Sequence, residues 1–64
     1  MLKIKDNVDL KELEKFGFEE FSVIYYHEFV SVDKNGRFIQ SNNLDLVYDL
    51  IQAGLVEKVG EESE

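Results

Sequence analysis

His27 is the single histidine of this 64-residue chain, so a proton relay or an activated nucleophile of the usual kind would run through it. Its surroundings, Tyr25-Tyr26-His27-Glu28-Phe29-Val30-Ser31, read as extended strand, in which successive side chains alternate between faces. Glu28 then points away from the ring it would have to orient. Ser31 shares the face of His27 but lies four residues on, roughly 13 Å at strand rise and beyond direct hydrogen bonding. Nucleophile, base and orienter cannot be assigned together, so no catalytic residue is expected and the chain reads as a non-enzyme.

Metal and cofactor chemistry find no better footing. The chain has no cysteine, which removes disulfides and thiolate zinc or redox sites and favours a reducing cytoplasm. Ser31, Asp33, Asn35 and Gly36 fall at positions 1, 3, 5 and 6 of a calcium-loop pattern. Position 12 is Asn42 instead of a bidentate glutamate, however, and only one carboxylate remains. The glycines at 17, 36, 54 and 60 are too scattered to cradle a phosphate. We expect no metal, cofactor or small-molecule ligand.

The aromatic residues are the remaining candidates. Adjacent Tyr25 and Tyr26 must point to opposite faces of a strand, and two short helices can cover only one face, so some aromatic surface stays accessible. Tyrosine is enriched at binding hot spots, and an under-paired strand can accept a partner strand through main-chain hydrogen bonds. Tyr25, Tyr26, His27 and Phe29 are therefore the expected interaction surface, against the plainer alternative of cross-strand aromatic pairs that only stabilise the sheet.

The elements that must position these residues follow from local pattern. Leu2-Lys3-Ile4-Lys5 alternates apolar and charged residues and predicts a strand. Asp9, three residues before Glu12, predicts the start of a two-turn helix in which the Asp side chain caps the N3 amide. Leu10, Leu13 and Phe16 are its apolar stripe, and Gly17 is a left-handed end that folds Phe18 back towards Leu13. Residues 21–32 predict one long strand, and Asp33-Lys34-Asn35-Gly36 a hairpin turn with Gly36 at positive φ. The return strand, about residues 37–41, is shorter, so residues 21–27 need a neighbour that only the first strand or the chain's end could provide. Asn42 or Asn43 caps a second helix whose apolar side is Leu44, Leu46, Val47, Leu50 and Ile51. Gly54 ends it, and Val56–Val59 is a last strand. The expectation is an α+β domain over residues 1–59 in the order βαββαβ, with an antiparallel or mixed sheet, a central hairpin and both helices on one face. Residues 60–64 are expected to be a disordered acidic tail.

Fourteen acidic against seven basic residues give a formal charge of -7, which disfavours nucleic acid and anionic membrane as partners. No run of 18 apolar residues and no signal-peptide pattern occurs, so a cytoplasmic chain that does not span a membrane is expected. The two ends, Leu2 to Phe18 and Leu46 to Val59, resemble a group of short uncharacterised phage and prophage proteins of Gram-positive bacteria (Firmicutes). That resemblance implies a bacterial cytoplasm during phage carriage and brings no activity or site residues with it. The expected function is a non-enzymatic module that binds another protein or a second copy of itself as a homodimer. The alternative is an acidic nucleic-acid mimic that would offer Asp6, Asp9, Glu12, Glu19, Glu20, Asp45 and Asp49 to a host enzyme.

Overall fold

The computed structural model describes residues 1–60, in the order β1 (Leu2–Ile4), a 3-10 helix (Leu10–Phe16), β2 (Glu19–Glu20), β3 (Ile24–His27), β4 (Val30–Asp33), β5 (Ile39–Ser41), α1 (Leu44–Gln52) and β6 (Val56–Lys58). The fold is α+β. Apart from Gly60, the expected acidic tail lies outside the described residues.

β1 and β6 pair antiparallel with Leu2 opposite Lys58 and Ile4 opposite Val56, so the two ends of the domain close on each other. The first helix forms where expected, but it is 3-10 rather than α. Its apolar residues, Leu10, Leu13 and Phe16, recur strictly every third position, and three residues per turn is the spacing that stacks them on one line. The tighter turn also moves the cap: Asp9 Oδ1 accepts from the amide of Lys11 at 2.9 Å, not from that of Glu12, whose amide donates to the Asp9 carbonyl. Gly17 adopts φ 98°, and the Phe18 amide reaches back to the Leu13 carbonyl at 3.2 Å, as the sequence predicts.

The long strand expected over residues 21–32 is two strands. It is broken by a two-residue turn at Glu28 and Phe29, both at positive φ (45° and 69°), with His27 opposite Val30. Positive φ at both central residues is the geometry whose twist matches a tight hairpin, although Asn-Gly is the usual occupant. The neighbour required by the first half of this segment is β2, with Glu19 opposite Tyr26 and Glu20 opposite Tyr25. The expected βαββαβ order is therefore replaced by two antiparallel sheets. One is β1-β6 and the other is the meander β2-β3-β4-β5.

A bridge from Lys3 to Phe38 and a 2.9 Å bond from the Ile4 amide to the Arg37 carbonyl join the two sheets. In the second hairpin the residue at positive φ is Arg37, not Gly36. Gly36 instead lies beneath the Phe38 ring, which a Cβ would meet at 2.8 Å.

Asn43 caps α1 by accepting from the Leu46 amide at 3.2 Å, and Gly54 at φ 80° ends the element with the Leu55 amide on the Leu50 carbonyl. One core gathers Ile4, Leu13, Phe18, Tyr25, Val30, Val32, Val47 and Leu50, so both helical segments and both sheets contribute to it.

Candidate interaction surface

Pairing register and strand alternation divide the larger sheet into two faces. Tyr25 and His27 of β3 lie on the core face with Val30 and Val32 of β4, while Ile24 and Tyr26 share the other face with Ser31, Asp33 and Gln40. The expected site residues therefore separate. Tyr25 is buried, with the Lys34 ammonium 5.5 Å from its ring centre and held there by a 2.7 Å ion pair to Glu20. Burial pushes the Tyr25 phenol above its ordinary value, and the Glu20 and Glu14 carboxylates push it further. Lys34 in turn holds the Glu20 carboxyl below the usual carboxylate range, first by its hydrogen bond and then by its charge.

His27 is half-buried. Its ring lies 5.6 Å from that of Phe18 and directly over Gly17, where a Cβ would come within 2.8 Å of Nε2. The histidine thus fills a packing position between the 3-10 helix and β3. Tyr26 is exposed on the outer face, in a cross-strand row with Glu19, Ser31 and Gln40. Beside that row lies a shallow depression of about 320 Å³ lined by Ile24, Ser31, Asp33, Phe38 and Gln40. Asp33 is committed to its own turn, where Oδ2 accepts from the Gly36 amide at 2.6 Å. Among the described residues no three His, Asp or Glu side chains come together as a metal site, and no helix is long and apolar enough to cross a membrane.

Phe29 is 69% exposed at the tip of the strained turn. That tip is tied to the start of α1: the Asn42 amide donates to the Phe29 carbonyl at 3.0 Å, and Asn43 Nδ2 to the Glu28 carbonyl at 3.2 Å. Next along the chain is α1, where Leu44 and Ile51 of the expected apolar side lie outside the core. Leu44 is 78% exposed, Tyr48 60% and Ile51 42%, whereas only Val47 and Leu50 of α1 are buried and Leu46 is partly covered.

At 100° per residue the apolar side chains of α1 span an arc of roughly 200°, about twice the stripe a globular core needs. The core takes the Leu46, Leu50 and Val47 part. Leu44, Tyr48 and Ile51, at i, i+4 and i+7, form the remaining line, with Asp45 and Asp49 alongside. The excess width of this arc was the signal in the sequence. No protein family, curated protein or solved structure matches the chain.

Proposed function

We propose that the chain is a non-enzymatic protein-interaction module that docks through Phe29 and the outward apolar line of α1. The observation that carries this is the width of the apolar arc on α1: Leu44, Tyr48 and Ile51 stay in water after the core is complete. Exposed apolar side chains grouped in this way, as opposed to scattered singly, are characteristic of docking surfaces. The turn next to them supports the same conclusion. Non-glycine residues at positive φ cost of order 1 kcal/mol each, persist where the surrounding structure holds them, and cluster at ligand-binding and switch sites. Here the strained position presents Phe29.

The setting in this proposal is the one implied by the resemblance of the chain's ends, a Gram-positive bacterial cytoplasm during phage carriage. The nucleic-acid mimic is the weaker alternative, because four of its seven acidic residues are taken up by neighbouring cations or a helix cap, which breaks the anionic track. Asp6 is paired with Lys3 at 2.9 Å, Glu12 with Lys15 at 2.9 Å and Glu20 with Lys34, while Asp9 caps a helix.

The test is affinity capture from such an extract with wild type, Phe29→Ser/Tyr48→Ser and Tyr26→Ser as parallel baits. We expect one protein held by wild type and by Tyr26→Ser and lost from the double variant. Equal capture by all three, or loss only with Tyr26→Ser, would overturn the assignment.

A further inference from the structure

Resting on that docking assignment, we propose that the partner segment is a basic amphipathic helix, and that a second copy of this chain is not the occupant. The argument is charge complementarity at one place in the fold. α1 carries Asp45 and Asp49 and not one lysine or arginine, so the helix itself is anionic, while Glu57 on the neighbouring β6 has the Lys3 ammonium at 3.9 Å. Several of the cations elsewhere are engaged: Lys3 with Asp6, Lys15 with Glu12, Lys34 with Glu20, and Arg37 with the carbonyls of Lys5 and Val8.

Asp45 and Asp49 lie one helical turn apart beside the Leu44, Tyr48 and Ile51 line. A fitting partner presents apolar side chains on one face and lysine or arginine at i and i+4 along the margin, which is the pattern of a basic amphipathic helix. Helix against helix also suits the shape, since an exposed ridge at i, i+4 and i+7 packs into the grooves of another helix. A second copy fits poorly. A twofold contact of α1 on α1 would set Asp45 and Asp49 near their own equivalents with no cation on either element to answer them. An anionic bilayer surface is disfavoured for the same reason.

The experiment uses the full chain and three synthetic 18-residue peptides. One carries Leu at heptad a and d positions and Lys elsewhere. The second has the same composition in an order that scatters the leucines, and the third replaces Lys by Glu. Binding is read by amide chemical-shift changes and by fluorescence anisotropy at 20 mM and 300 mM salt. The expected result is binding of the patterned Leu/Lys peptide alone, with shifts centred on Phe29, Leu44, Tyr48 and Ile51. Weakening of about fivefold is expected in Asp45→Asn/Asp49→Asn, shrinking at the higher salt. Sedimentation of the chain alone is expected to show a monomer. Equal binding of the scattered peptide, shifts elsewhere, no binding, or a dimer built on α1 would overturn the proposal. If the extract partner is still lost on Phe29→Ser/Tyr48→Ser while the peptides fail, the docking surface stands and only its assigned partner class falls.

Discussion

Gly17 meets two demands at once. Its φ of 98° is one that side chains with a Cβ reach at a cost of roughly 1–2 kcal/mol, and the His27 ring occupies the space a Cβ would enter. Gly17→Ala is therefore expected to destabilise by more than that conformational cost alone, measured by urea unfolding. His27→Ala in the same background should return the steric part and leave the conformational part. A loss on Gly17→Ala as large in the His27→Ala background as in the wild type would mean that His27 does not pack where the structure puts it. Arg37 is the opposite case, a side chain held at φ 66° because of what its head does. Its guanidinium donates to the carbonyls of Lys5, at 2.7 Å, and Val8, while its own carbonyl accepts from Ile4, so one residue ties the second hairpin to both ends of the loop after β1. Both bonds leave one nitrogen, Nη1, and lysine keeps the charge but carries its donor on a side chain one bond shorter, so Arg37→Lys should lose about 1–3 kcal/mol of stability, detectable as a lower urea midpoint at unchanged m-value.

At the scale of elements, the helix ends and the hairpin turn opened by Asp33 were legible and the turn at Glu28-Phe29 was not, for one physical reason. Capping is local chemistry, and Asp9, Gly17, Asn43 and Gly54 each perform it within a few residues of their own position. The turn at Glu28-Phe29 has none of the usual turn residues, and its neighbours are strand formers, so the pattern reads straight through it. β2 was hidden likewise, because two glutamates paired at a sheet edge carry no apolar alternation. Of the candidate site, Phe29 and Tyr26 were visible as exposed aromatics. Tyr25 proved to be core, and Leu44 and Ile51 were grouped with the inward residues of α1 because an arc of apolar residues does not say which part of it the core will take. The same turn yields a prediction. Glu28→Asn/Phe29→Gly installs the preferred pair for this geometry and keeps both backbone acceptors that hold Asn42 and Asn43, so stability should rise by about 1 kcal/mol. The variant should lose the captured partner at the same time. A fall in stability would show that the turn is not strained.

The whole molecule draws one core from segments at both ends of the chain. β1 and β6 close on each other, the meander lies between them in sequence, and every element except β2, β5 and β6 places a residue in the fully buried cluster. A chain with so little core to divide should unfold as a unit, so a change at one buried group is felt globally. Tyr25 is that group for alkaline pH. Burial, with Glu20 and Glu14 nearby, raises its phenol in the folded state above the unfolded value of about 10. The folded state then holds the proton more tightly than the unfolded state. Its stabilising effect is complete below about pH 10 and is lost as pH climbs from there through the raised folded value. Thermal unfolding followed by circular dichroism between pH 8 and 11.5 should show a decline beginning near pH 10, and tyrosinate absorbance from one residue should rise together with loss of structure. Tyr25→Phe is the control: it should leave a shallower decline and remove the late tyrosinate step. Matching curves for the two proteins would mean that the buried phenol does not set the alkaline limit of this fold.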